Sequence, residues 1–194
     1  MTSVAASDSG SEAWTVRVME SHEYAAVRAL SVAAFGDDPH IGELFDGLHS
    51  SWCWDDELSF VAVADGELIG QVLYTHALLD SWPRLVDVLV LGPLGVRPDK
   101  QRTGIGSALV NHTLEVVSAR AESVVFLEGI PSYYPRFGFQ RGDQLGFVAP
   151  SVRIPPDSFM AYRLPSHEPW MTGALVYSDA AWRADAVGLR EAPG

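Results

Sequence analysis

Residues 86–96, Val-Asp-Val-Leu-Val-Leu-Gly-Pro-Leu-Gly-Val, form a strand-length apolar run with Gly92-Pro93 in its middle. A run apolar on both faces belongs inside a sheet, yet proline cannot donate to a hydrogen-bonded ladder. Such a strand must bulge or part from a neighbour at that point. A sheet that splays there leaves backbone groups around Leu94, Gly95 and Val96 open to an extended, amide-bearing ligand. Directly after the run comes Arg97-Pro98-Asp99-Lys100-Gln101-Arg102-Thr103-Gly104-Ile105-Gly106, and then the clearest helical pattern in the chain, over residues 104–120. Gly104 and Gly106 carry no side chains to obstruct a ligand at the first helical turn, whose free N–H groups and positive dipole end suit a phosphate. Arg97, Lys100 and Arg102 gather beside it, and Lys100 is the sole lysine of the chain. A P-loop would need Lys-Ser/Thr after its second glycine, and a dinucleotide fingerprint would need a small residue where Leu109 stands. Neither is present.

The remaining periodicity supplies a sheet and helices around this junction. Trp14, Val16 and Val18 alternate as a short strand; Ser21 is expected to cap a helix with an apolar face at Tyr24, Val27 and Leu30, and Asp38-Pro39 to open a second. Asp65-Gly66 is a hairpin signal between strands at 58–64 and 68–78. Further strands are expected at 124–127, at the aromatic Phe137-Gly138-Phe139, at 159–164 and at 174–177. A meander followed by a strand–helix–strand unit makes an α/β or α+β domain. It is expected over residues 14–182, with a disordered Ser/Ala-rich leader at 1–13 and a C-terminal tail at 183–194.

The pattern Gln101-x-x-Gly104-x-Gly106 at a strand-to-helix junction resembles the pyrophosphate motif of the GNAT superfamily of acyl-CoA-dependent N-acetyltransferases. The proline-interrupted strand resembles that family's splayed strand, and Tyr133-Tyr134-Pro135-Arg136-Phe137-Gly138-Phe139 resembles its tyrosine-before-Gly-Phe segment. With Gly92-Pro93-Leu94 and Phe159-Met160-Ala161, the combination is similar to a bacterial subgroup of acetyltransferases. The resemblance implies an α/β fold with a mixed, mostly antiparallel splayed sheet and helices on both faces. It implies acetyl-CoA as co-substrate, with the pantetheine arm held along Leu94, Gly95 and Val96. The pyrophosphate would be wrapped by Gln101, Arg102, Thr103, Gly104, Ile105, Gly106 and Ser107. Tyr134 is implied as the acid that protonates the departing thiolate, with direct attack by a primary amine as the reaction. The alternative function is a non-catalytic acyl-CoA-binding regulatory or interaction module.

Many family members place a glutamate on the strand before the bulge; here that stretch is Val88-Leu89-Val90-Leu91, and neither Asp87 nor Glu128 is assigned as base. For the acceptor, the expected residues are Trp52, Trp54 and Asp55, because aromatic faces beside carboxylates suit an ammonium group. Twenty-five acidic against thirteen basic residues, a formal charge of −12, point the same way and disfavour nucleic acid as a partner. The acceptor is expected to be a small-molecule or peptide amine, and a homodimer is possible. The six histidines show no metal-ligand spacing, so no metal is expected; His76, on a strand, is the one to watch. The single cysteine, Cys53, has no activating partner in the sequence and fits a reducing cytoplasm. No apolar run suggests a membrane span.

Overall fold

The computed structural model describes residues 5–6 and 14–188. The expected leader, apart from Ala5–Ala6, and the end of the expected tail lie outside the described residues. In chain order the elements are β1 (Ala5–Ala6), β2 (Trp14–Val18), α1 (Tyr24–Ala34), α2 (Pro39–His49), β3 (Ser59–Ala64), β4 (Glu67–Ser81) and β5 (Leu85–Val96). There follow α3 (Ile105–Val117), β6 (Val124–Glu128), β7 (Gln140–Arg141), β8 (Phe147–Val148), β9 (Phe159–Arg163), β10 (Gly173–Val176) and α4 (Asp179–Arg183). The sheet runs β1-β2-β3-β4-β5-β6-β9-β7, with β10 on the far half of β4 and β8 beside β10. Pairing is antiparallel except at β5–β6 and β8–β10. The parallel β5–β6 step needs a crossover, and α3 supplies it.

Alternation along β3 and the first half of β4 sends side chains to two of three core clusters, one on each face of the sheet. Phe60 and Ala62 of β3 with Val72 and Tyr74 of β4 meet Ile105, Leu109, Val110 and Leu114 of α3. Val61 and Leu73, each one residue out of phase, meet Val27 of α1 and Phe45 and Leu48 of α2 on the opposite face. Each of these buried aliphatic side chains contributes about 1.5–3 kcal/mol relative to exposure. Helices therefore cover both faces, and β5 lies near the middle of the sheet.

Local signals set several boundaries. Asp38 caps α2 by accepting the His40 N–H at 3.0 Å, and Pro39 occupies the first turn, where no donor is needed. Asp65 and Gly66 both have positive φ, 50° and 80°, as a two-residue hairpin of the primed type requires. The expected cap at Ser21 is replaced by a 3-10 turn, Ser21–Glu23, whose Glu23 carboxylate accepts the Glu20 N–H at 2.8 Å. The expected strand at Phe137-Gly138-Phe139 is also corrected. Pro135 favours a tight 3-10 turn over Tyr134–Phe137, and Gly138, at φ 92°, ends it in the left-handed region. Strand pairing resumes only at Gln140, opposite Ala161.

Candidate active site

Gly92-Pro93 acts on both neighbours of β5. Toward β4, the register passes from Tyr74↔Leu91 to Val72↔Leu94, so β5 carries one extra residue, a bulge. The Pro93 carbonyl, out of step with the ladder, accepts instead from the buried Gln71 side chain at 3.2 Å. Toward β6, pairing is confined to Leu89↔Val125 and Val90↔Phe126, and beyond these residues the two strands part. The Arg97 N–H donates to the Ile69 carbonyl at 2.9 Å. Two-residue alternation then turns Gly95 toward β4 and the peptide groups of Leu94 and Val96 toward the gap. The Val96 carbonyl, on that open side, accepts from Gln101 Nε2 at 3.1 Å.

The loop after β5 closes one end of the gap. Gln101 also donates to the Ala34 carbonyl at 3.3 Å, tying the loop to the end of α1. Arg102 at φ 62° and Gly104 at φ 94° turn the chain into α3. Thirteen residues of helix then direct their first-turn N–H groups into the cavity, where Gln101, Arg102, Gly104, Gly106 and Ser107 all contribute to the lining. A Cβ on Gly106 would come within 3.0 Å of the Tyr133 hydroxyl, so the close approach of these two groups depends on glycine. Arg136, whose guanidinium lies 4.8 Å from the centre of the Tyr133 ring, adds a second cation to this end.

Across the gap stands Tyr134. It is 9% exposed, packed edge-on against Tyr133 and Phe139, and it lines the same cavity as Leu94 and Gly106. Burial, and secondarily the neighbouring Tyr133, push its phenol above the ordinary tyrosine value, so it is protonated at neutral pH. Its ring lies over Gly129, where a Cβ would sit 2.3 Å from Cε2. The whole cavity encloses about 1010 Å³.

Beyond Tyr134 the cavity continues to an end built by side chains from distant segments. Ile41, Leu44 and Leu48 form one face of α2; Val90 and Leu91 come from β5, and Ala181 and Ala186 from the C-terminal segment. Glu128, half-buried at the end of β6, is the single carboxylate among the lining residues. Its Oε1 accepts the Tyr177 hydroxyl and its Oε2 the Gly188 N–H, both at 3.0 Å. Burial holds its pKa above the usual carboxylate value, although both hydrogen bonds oppose the shift.

A splayed parallel pair, a glycine-started helix and a phenol between them are three parts of one arrangement, and the sequence carries its pattern. The acetyltransferase (GNAT) domain profile matches residues 15–142. The chain belongs to the GNAT acetyltransferase family. It is similar to the uncharacterized N-acetyltransferase YjhQ of Escherichia coli (strain K12), with 28% identity over 139 residues, 71% of this chain and 76% of that protein. Among solved structures, it resembles the GNAT protein YhbS of Escherichia coli in complex with CoA, with a TM-score of 0.74 and 21% identity over 90% of this chain and 95% of the other. A GNAT acetyltransferase from Brucella melitensis in complex with acetyl-CoA gives a TM-score of 0.66 at 24% identity, covering 86% and 97%. The mixed, open sheet with helices on both faces is thus the GNAT fold.

Within the GNAT frame, the expected site residues separate. Leu94, Gly95, Val96, Gln101, Arg102, Gly104, Gly106, Ser107 and Tyr134 come together on one cavity. Ile105 does not line it: its side chain is 3% exposed, in the core beneath α3, so only its backbone is available to a ligand. Thr103 is also absent from the lining, and its hydroxyl donates to the Lys100 carbonyl at 2.6 Å. Arg97 is held away by Asp99 and Glu67, at 2.7 and 2.8 Å. Trp52, Trp54 and Asp55 do not line the cavity. Trp52 borders a shallower hollow of about 480 Å³ between α2 and α4. Trp54 packs edge-on against Phe45 and His49 and donates its indole N–H to Asp56 at 2.7 Å. Asp55 is paired with Arg120 at 2.9 Å and lies 3.4 Å from His76. The physical reason is that Trp54 and Asp55 find partners within the protein, at Asp56 and Arg120, while Trp52 stands 58% exposed on another face. Cys53 is fully buried. Asp87 is exposed opposite Leu78, at the far end of β5 from the bulge. Glu128, weighed in the sequence but given no role, and Tyr177, not expected at all, are brought to the cavity as a hydrogen-bonded pair; no local pattern joins positions 49 residues apart. No group of three or more metal-ligating side chains occurs among the described residues, and none of the helices there is long and apolar enough to cross a membrane.

Proposed function

We propose that this chain transfers the acetyl group of acetyl-CoA to an amine by direct attack, with Tyr134 donating a proton to the departing thiolate. The observation that carries this reading is the gap between β5 and β6, which has unpaired backbone on one wall, an N–H-rich helix start at one end and a protonated phenol on the other wall. The amide groups of Leu94 and Val96 and the Leu94 carbonyl, turned to the gap, suit the amides of a pantetheine arm as an added strand would, while the Val96 carbonyl is already bonded to Gln101. The first-turn N–H groups of α3, with Arg102 and Arg136 nearby, suit a pyrophosphate. Family relatives support the same donor, since the Brucella protein binds acetyl-CoA and the YhbS protein binds CoA.

In this reading a free amine attacks the thioester carbonyl, and a backbone N–H at the bulge stabilises the oxyanion. Tyr134 is kept neutral by burial, so its proton is present when sulfur leaves. Burial also makes the phenol a weaker acid than a free tyrosine, so the proton moves only as the carbon–sulfur bond breaks and charge builds on sulfur. The test is a thiol-detection assay of CoA release with acetyl-CoA and a panel of primary amines, beside thermal denaturation. Acetyl-CoA should raise the melting temperature by mass action on the native state, and release should depend on the amine. An unchanged melting temperature at millimolar acetyl-CoA would remove the reading.

A further inference from the structure

The acceptor end of the cavity differs in chemistry from the surface of the protein. The chain as a whole carries a charge of −12, yet one carboxylate, Glu128, lies among the cavity's lining residues. The lining at this end is mostly apolar, with Ile41, Leu44 and Leu48 of α2 and Val90 and Leu91 of β5; its polar groups besides Glu128 and Tyr177 are Thr75, His76 and Ser178, none of them a carboxylate. Spacing of three and four residues places the α2 side chains on one helical face, so the wall is continuous. Glu128 is held in place from two directions, by the Tyr177 hydroxyl and the Gly188 N–H. Each oxygen accepts one of those bonds and keeps a further acceptor site.

We propose that the acceptor is a monoamine with an apolar body, an alkyl- or arylalkylamine, whose ammonium group docks on Glu128 and whose hydrocarbon part lies against Ile41, Leu44 and Leu48. This rests on the acetyl-transfer reading above and names its substrate class. A single anchoring carboxylate matches a single ammonium. A second ammonium along the same chain would be taken out of water against leucine and isoleucine without a partner, which is strongly unfavourable. The net charge of the surface therefore does not describe the acceptor; the lining does.

Glu128 also supplies the proton acceptor that the strand before the bulge lacks. Its carboxylate takes a proton from the docked ammonium, leaving the free amine. The amine nitrogen bonds to the thioester carbonyl carbon, the carbon–sulfur bond breaks, and Tyr134 gives its proton to sulfur. The extra proton on the new amide nitrogen restores the Tyr134 phenol, and Glu128 releases its proton to water. One proton leaves per turnover, matching an ammonium and a thioester converted to an amide and a thiol.

The experiment compares hexylamine with hexamethylenediamine, and phenethylamine with spermidine and glycine, by CoA release from the full chain at saturating acetyl-CoA. Hexylamine should exceed the diamine in kcat/KM by about tenfold or more, the scale on which a pocket rejects a mismatched group. Glu128→Gln should lower kcat/KM for hexylamine by about 10²-fold, within the range of general acid–base catalysis, while acetyl-CoA still raises the melting temperature. Leu44→Asp, which places a second carboxylate on the wall, should narrow or reverse the preference for hexylamine over the diamine. It also decides the matter if Glu128→Gln fails to fold. Preference for spermidine, the diamine or glycine in the wild type overturns the proposal, as does a folded Glu128→Gln with wild-type kinetics or an unchanged ratio in Leu44→Asp. Loss of acetyl-CoA binding by the wild type is a different result, because it removes the acetyl-transfer reading itself.

Discussion

The two ends of the cavity are built by different means. At the α3 end the work is done by backbone: the peptide groups of Leu94 and Val96, the first turn of α3, and glycines that let a ligand approach. These come from one contiguous segment, residues 94–107. The other end is built by side chains, Glu128, Tyr177, Ile41 and Leu44, drawn from three separated segments. A backbone site tolerates changes in side chains so long as φ and space are preserved. A side-chain site can be retuned by single substitutions. The difference teaches that the two ends of one cavity answer to different kinds of substitution.

Five substitutions test that division. The largest effect is expected from Gly106→Glu. A side chain there meets the Tyr133 hydroxyl and brings a negative charge to the helix start. Stabilisation by acetyl-CoA, about 2.7 kcal/mol at a hundredfold excess over Kd, should disappear in thermal denaturation, and turnover with it. Should acetyl-CoA still stabilise this variant fully, the phosphate end lies elsewhere.

Next comes Tyr134→Phe, which removes the proton and leaves the ring. Turnover should fall by about 10²–10⁴ while the calorimetric affinity for acetyl-CoA is unchanged. Near-normal turnover would assign the thiolate another donor.

Gly129→Ala probes the seam between the two ends, since its Cβ would stand 2.3 Å from the Tyr134 ring and force it to move. A displacement on that scale should cost about 10² in kcat, with acetyl-CoA binding retained. A variant at wild-type kcat would show that the ring position does not matter.

The smallest effects are expected at the stretch first read as the acceptor site. Trp52→Ala should leave KM for the best amine unchanged, because Trp52 lies outside the cavity on the α2–α4 hollow. Asp55→Asn should do the same, and loss of its pair with Arg120 should cost no more than about 1 kcal/mol in denaturant unfolding. An altered KM in either variant would extend the acceptor site beyond the cavity.

Gly92-Pro93 between apolar strand halves, and Gly104-x-Gly106 before a helical pattern, were enough to place the splay and the helix start, whereas Tyr134 was implied only by the family resemblance. They sufficed because each is a local rule: proline lacks an N–H, glycine lacks a Cβ, and a helix start leaves its own amides unpaired. The elements missed by sequence were short and turn-like. Phe137-Gly138-Phe139 reads as an aromatic strand by composition, but Phe137 closes a 3-10 turn, Tyr134–Phe137, that Gly138 ends.

The acceptor end was not legible, and the reason is the same rule seen from the other side. Carboxylates and tryptophans at residues 52–57 look like a binding site in one dimension, yet Trp54, Asp55 and Asp56 find partners within a few residues or at Arg120. Glu128 stands alone in the sequence and becomes a site only when the chain returns at Tyr177 and Gly188 to hold it. By itself the sequence determined the backbone half of the cavity, the bulged strand and the glycine-started helix, because backbone geometry is set by near neighbours. Only the tertiary structure decided the side-chain half, because what a carboxylate can do depends on burial and on partners that folding alone brings within 3.0 Å.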